Sequence, residues 1–210
     1  QLRTGGCSAR TIRVPTVSDI IRFQRIPERS PVAVSVIVCA YTERRWTELL
    51  TAIASLEQQT RRPDEIIVVI DHNEALYERT REQLSSVVLL ANRYSKGLSG
   101  ARNTGIAYAT GEIIVFMDED AIADEHLIER MLTHFANPEV AGVGGAILPA
   151  WVEQRPRWFP EEFNWVVGCT YRGMPTQTAP VRNLIGCNMA YRSGVFQEAG
   201  VFREGIGRID

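Results

Sequence analysis

Residues Gly111–Asp120 read GEIIVFMDED, a short β-branched and aromatic run that ends without warning in three carboxylates. Six residues, Glu112 to Met117, suit a strand buried on both faces, and a glycine separates them from the helical pattern before them. In an open α/β sheet ligands bind beyond the carboxyl ends of the strands, so Asp118, Glu119 and Asp120 are expected at the rim of a site. On an extended segment side chains two apart share a side. Asp118 and Asp120 are therefore expected to converge on one ion while Glu119 turns away. Hard oxygen donors of this kind suit Mg²⁺ or Mn²⁺. The competing expectation is a solvated turn, with Asp120 or Asp124 capping a helix over 124–135.

Working outward, the preceding stretch NRYSKGLSGARNTGIAYATG places Gly97 and Gly100 in a loop. Ser99 is a candidate N-cap there, ahead of a helix over 101–110. Upstream, Val32–Ala40 is the best first strand and Trp46–Gln58 carries a helical stripe of Leu49, Leu50, Ile53 and Leu56. EIIVVI, residues 65–70, is a second strand that runs into Asp71. A helix over 74–84 and a strand over 86–90 complete the series. The alternation predicts a mostly parallel sheet with right-handed crossovers. Downstream, a strand is expected over 140–148, where Gly142, Gly144 and Gly145 permit close backbone approach. Residues 149–182 are irregular and rich in tryptophan and proline. A strand over 183–192 and a helix over 193–199 follow.

Composition narrows the classes of function. The 210 residues are 45% apolar and 23% charged with a net charge of −2, which gives no basic surplus for nucleic acid. No apolar run is long enough to span a bilayer. The four cysteines show no C-x-x-C spacing; Cys39 and Cys187 sit in apolar runs and read as buried thiols, so a reducing, cytoplasmic setting is the expectation. Residues 1–33 read as an extended, arginine-bearing arm, with one short amphipathic piece at Val17–Phe23 and scope for contact with anionic lipid. Residues 34–148 read as the α/β domain and 149–210 as a second, partial region.

Taken together, the exit A-Y-T-E from the first strand, the strand ending in Asp71, the K-G-L-S-G-A-R-N-T-G loop-helix and the strand ending in D-E-D resemble the family 2 glycosyltransferases. The block Ala101–Asp120 is the most specific part, since a helix, a strand and a metal motif stand there at fixed offsets. The resemblance implies a GT-A fold, Rossmann-like, with flanking helices and an acceptor lobe that is incomplete in this chain. It also implies metal-dependent, inverting transfer of a sugar from a UDP- or GDP-sugar to a saccharide or lipid-linked acceptor, at the inner face of the membrane or in the cytoplasm.

Carried over by position, the resemblance puts Ala40, Tyr41, Thr42 and Glu43 around the nucleoside and Asp71 on the base, where a carboxylate suits the N–H groups of uracil or guanine. Asp71 is otherwise a cap for the next helix. Lys96, Gly97 and Arg102 approach the diphosphate with Asp118, Glu119 and Asp120, and the helix N-terminus near Ser99 adds backbone donors. Asn103 is a lock for that loop. On the acceptor side stand Trp151, Trp158, Trp165 and Asn188, with Gly186 near the donor sugar. The tryptophans suit a sugar face or lipid headgroups, and equally the packing of an irregular lobe.

The family's base lies in an acidic pair after the strand over 183–192. Only Glu198, Glu204 and Asp210 stand there, singly, so the base is expected beyond Asp210, with Asp210 itself as the alternative. Two rival readings are a sugar nucleotidyltransferase, whose glycine-rich loop is missing from Tyr41–Arg45, and a nucleotide-sugar binding module without turnover.

Overall fold

Val34, Val36, Val38 and Ala40 face one side of their strand and Ile37 and Cys39 the other, and each set is packed into its own hydrophobic core. Such a strand has no solvent-facing side, which is why its sequence is apolar throughout except for the buried Ser35. The computed structural model describes residues 32–151 and 154–205. Residues 1–31 of the expected arm, with its amphipathic piece, and Asp210 lie outside those residues.

Within the described residues the strands are β1 Val34–Ala40, β2 Glu65–Ile70, β3 Val88–Ala91, β4 Ile113–Asp118, β5 Gly142–Gly144 and β6 Asn188–Arg192. They form one sheet in the order β3-β2-β1-β4-β6-β5. The first four are parallel, while β6 runs antiparallel to β4 and β5 antiparallel to β6. The expected mostly parallel sheet is present, with its antiparallel pair confined to one edge.

The helices are α1 Trp46–Glu57, α2 Glu74–Gln83, α3 Leu98–Tyr108, α4 Leu127–His134 and the short α5 Val195–Glu198. Leu49, Ile53 and Leu56 of α1, Leu76 of α2 and Ile128 and Met131 of α4 join the core on one face. Ala101 and Ile106 of α3 and Phe196 of α5 join Phe116 and Met189 on the other. The result is helix layers on both faces of the sheet, with buried strands between them.

Several boundaries differ from those expected. α3 begins at Leu98 with Gly97 as its N-cap, so Ser99 lies in the first turn and is not the cap. α4 begins at Leu127 behind His126, which makes no side-chain cap bond. Asp124 accepts instead from His126 N at 3.0 Å, closing a turn just before the helix. β5 has three residues, not nine. Its glycines do allow close approach, since a Cβ on Gly142 would stand 2.6 Å from the Tyr191 ring. β6 starts only at Asn188, and residues 161–167 in the irregular segment wind into a 3₁₀ helix that the proline-broken pattern concealed. Cys169 is the most buried described thiol, with Cys39 and Cys187 intermediate. Burial nonetheless pushes Cys39 up to about 12 and Cys187 to about 11, so both stay protonated.

Candidate functional site

The strand order reverses between β1 and β4, and the crevice beyond their carboxyl ends is where an open α/β sheet binds its ligand. Cys39 pairs with Asp118 in the parallel register, so the chain leaves both strands at the same height. Tyr41 N donates to Glu119 Oε2 at 3.3 Å across that gap.

β4 stops at Asp118, and Glu119 and Asp120 form a turn. Strand alternation therefore governs only the first carboxylate. Asp118 shares the face of Phe116 and meets Arg102 of α3, whose guanidinium lies 3.3 Å from Oδ1. Glu119 folds inward, 3% exposed, onto Tyr41 N and the Arg45 guanidinium. Asp120 pairs with the same Arg45 at 3.0 Å from the solvent side. Burial raises the Asp118 carboxyl, only partly opposed by Arg102, and the charge of Asp120 raises it further. Burial likewise pushes Glu119 up to about 7 against the lowering by Arg45. Three carboxylates are thus held close to two arginines, in a place where more positive charge would be favourable.

Arg102 is itself well built in. Its side chain is 12% exposed, it donates to Gly186 O at 2.9 Å, and its guanidinium lies over the rings of Phe116 and Phe202 at 5.8 and 5.4 Å. Asn103, one residue on, donates to Phe202 O at 2.8 Å and accepts from Phe202 N at 3.0 Å. It locks the chain near 202 onto α3; the loop before α3 is held by other groups.

Those groups converge on Asp71. Its Oδ1 accepts from Asn92 Nδ2 at 2.6 Å and lies 2.9 Å from His72 Nδ1, while Oδ2 accepts from Gly97 N at 2.8 Å. The carboxylate thus fixes the 92–97 loop beside β2. The loop packs so tightly that a Cβ on Gly100 would stand 2.1 Å from Ser95 O, which accounts for a glycine inside the first turns of α3. Asp71 is not the cap of α2. That role falls to Asn73, which accepts from Leu76 N at 3.0 Å and donates to Tyr41 O at 3.1 Å.

Ala40 is buried at the end of β1, and the Tyr41 ring is half exposed beyond it. Thr42 caps a 3₁₀ turn over Glu43–Arg45, accepting from Arg44 N, and Glu43 is exposed. Lys96 is exposed on the loop just before Gly97. The structure therefore brings Ala40, Tyr41, Asp71, Gly97, Arg102 and the D-E-D carboxylates to one edge of the sheet.

The acceptor-side candidates are arranged differently. Trp151 packs edge-on to Phe159, as does Trp158, but Trp158 and Trp165 remain 78% and 60% exposed. Asn188 opens β6 opposite Met117, donates to Ala146 O at 3.1 Å and keeps a buried Oδ1 without a partner among the described residues.

No cluster of three or more His, Cys, Asp or Glu side chains is gathered for a metal among the described residues. The donor chemistry of Asp118 and Asp120 nonetheless fits a hard divalent cation, since both carboxylates keep partly exposed oxygens and Asp118 carries a desolvated charge. Two carboxylates fill less than an octahedral shell, so phosphate and water oxygens are needed to complete it.

The profile of glycosyl transferase family 2 matches residues 35–200, and the chain belongs to that family. It is 36% identical over 179 residues to a glucosyl-dolichyl phosphate glucuronosyltransferase of Haloferax volcanii, covering 83% of this chain and 57% of that protein. A UDP-Glc:alpha-D-GlcNAc-diphosphoundecaprenol beta-1,3-glucosyltransferase of Escherichia coli is 32% identical over 105 residues, 48% of this chain and 40% of its own. The chain thus spans little more than half the length of the first of these relatives. Among solved structures, a mannosyltransferase of Pyrobaculum calidifontis in complex with GDP-Man and Mn²⁺ superposes with a TM-score of 0.60 at 21% identity, over 85% of this chain and 50% of that one. S. aureus TarS in complex with UDP-GlcNAc gives 0.56 at 17% identity, over 81% and 48%. These likenesses establish the GT-A fold.

Three groups at the site have no counterpart in the sequence reading: Arg45, His72 and Asn92. Asn92 directly follows β3, as Asp71 directly follows β2. The same rule of polar residues at strand ends finds it once β3 is extended by one residue to Ala91. Nothing local marks Arg45 or His72.

Proposed function

We propose that this chain is the donor-binding part of a metal-dependent, inverting glycosyltransferase that takes a UDP- or GDP-sugar and delivers the sugar to a saccharide or lipid-linked acceptor. The observation that carries the reading is the meeting of Asp118 and Asp120 with Arg102 and Arg45 at the β1/β4 switch point, one strand from Asp71. Tyr41 and Asp71 flank the space for a nucleoside, and Arg102, Lys96 and the backbone donors at the start of α3 lie on the side where a diphosphate would be neutralised. Glu119 acts indirectly, by holding Tyr41 and Arg45 in place.

Asp118 and Asp120 are the residues to hold Mg²⁺ or Mn²⁺, which when bound would stabilise the departing diphosphate. Around it, Arg102 keeps Asp118 aimed at the crevice through its second bond to Gly186 O. No general base is assigned among the described residues. Glu204 is committed to Ser95 N at 2.9 Å, and Glu198 stands apart on α5.

The exposed rings of Trp158, Phe163 and Trp165 support an acceptor with a sugar face or a lipid headgroup, and a peripheral membrane contact there. The relatives whose names specify dolichyl phosphate and diphosphoundecaprenol support a lipid-linked acceptor. A thermal-shift screen of nucleotide sugars with Mn²⁺ tests the proposal: UDP- or GDP-sugars should raise the melting temperature and ADP-sugars should not. A flat response across the panel would contradict it.

A further inference from the structure

His72 stands out as the one non-glycine residue with positive φ among the described residues, at 51°. Such a conformation costs free energy and persists only where neighbours over-determine it. Here they do. Asp71 N donates to Ala40 O at 2.8 Å on one side, and Asn73 is tied to Tyr41 O and Leu76 N on the other. The turn at 72 folds the imidazole back so that Nδ1 lies 2.9 Å from Asp71 Oδ1. An ionised carboxylate only accepts, so Nδ1 carries the proton, and in the neutral ring Nε2 is an acceptor. The His72 side chain is 43% exposed and its Nε2 makes no hydrogen bond among the described residues. Asp71, by contrast, is 9% exposed and already takes three donors.

We infer that His72 is a specificity-determining residue for the nucleobase, with Asp71 as the positioning residue that fixes its tautomer. The inference rests on the donor-site reading above, in which the end of β2 faces the base. An acceptor at Nε2 matches the ring N–H of uracil or guanine and opposes the bare ring nitrogen that cytosine and adenine present at the same edge. The left-handed turn at 72 is what folds the imidazole onto Asp71 and leaves Nε2 without a partner among the described residues.

Calorimetric titration of UDP, GDP, CDP and ADP with Mn²⁺ into wild type, His72→Gly and His72→Gln tests this. The wild type is expected to prefer UDP or GDP over CDP and ADP. His72→Gly should weaken the preferred nucleotide by about 5- to 50-fold, the loss of one hydrogen bond to the base, and leave CDP and ADP unchanged or bound more tightly. Its melting temperature should stay close to that of the wild type, because relief of the strained φ offsets the lost bond to Asp71 and the added freedom of the unfolded chain. His72→Gln, whose side chain carries an acceptor oxygen, should recover part of the preference. An unchanged ranking in His72→Gly overturns the inference alone, as does equal weakening of all four nucleotides with a lowered melting temperature. A wild type that binds none of the four overturns the donor-site reading and this inference with it.

Discussion

The carboxyl edge of the parallel strands and the aromatic segment over 154–182 are built on opposite plans. At the edge the acidic groups are partnered before any ligand arrives: Asp71 by three donors, Asp118 by Arg102, Glu119 and Asp120 by Arg45. Along the segment, Trp158, Phe163 and Trp165 are half or more exposed, and the ion pairs Arg155–Glu161 and Arg172–Glu162 lie at the surface. A partnered edge loses little entropy on binding and fixes geometry, which charge neutralisation and base reading require. Exposed rings gain only from what comes to cover them.

If the edge is as preorganised as its contacts imply, breaking it should cost stability where breaking the segment does not. Arg102→Ala should have the largest effect. It strands the Asp118 charge, frees Gly186 O and removes a cation from two aromatic faces, for a loss of about 2–3 kcal/mol in denaturant unfolding. A loss under about 0.5 kcal/mol would mean that the pair is ornamental. Asp71→Ala should weaken UDP and uridine alike by about 1–3 kcal/mol in calorimetry, since it affects the nucleoside end and not the phosphates. Selective loss of UDP alone would move Asp71 to the diphosphate.

A smaller effect tests the opposite end of the sheet. Glu65 is raised by burial but lowered more strongly by bonds from Ser35 Oγ and from Thr110 N and Oγ1. Its folded value therefore lies below its unfolded one, so its contribution is present above the ordinary glutamate range of about 4.3 and fades as pH falls through the lower folded value. Glu65→Gln should cost about 1 kcal/mol at neutral pH and progressively less below about pH 4. A cost that does not vary with pH would contradict this. Smallest of all, Trp158→Ser should change stability by no more than about 0.5 kcal/mol, because the ring is already in water. A larger loss would show that the segment is as tightly built as the edge.

The same contrast governs what could be read from the sequence. β2 appears with its true limits, and β1 and β4 within two residues, because strands covered on both faces leave continuous apolar runs. The carboxylates at their ends were legible for the same reason: a charge directly after such a run has only the rim to occupy. Beyond Asp118 the reading fails, because strand alternation stops where the turn begins. β5 lies inside the strand expected over 140–148 but pairs over only three residues, and the 3₁₀ helix over 161–167 is hidden, because a proline-flanked helix of seven residues carries no sustained period. Arg45 and His72 were invisible for another reason. Each gains its role from a neighbour in another part of the chain or from a backbone conformation that composition does not encode.

The central claim is that Asp118 and Asp120 hold a divalent ion that in turn holds the diphosphate. Titrating UDP and GDP into the protein by calorimetry, first in Mn²⁺ and then in EDTA, tests it directly. The nucleotide bound in Mn²⁺ should lose at least about tenfold in affinity in EDTA, and the Asp118→Asn, Asp120→Asn double variant should show the same weakness with Mn²⁺ present. Affinity that is unchanged by EDTA and by the double variant would contradict it.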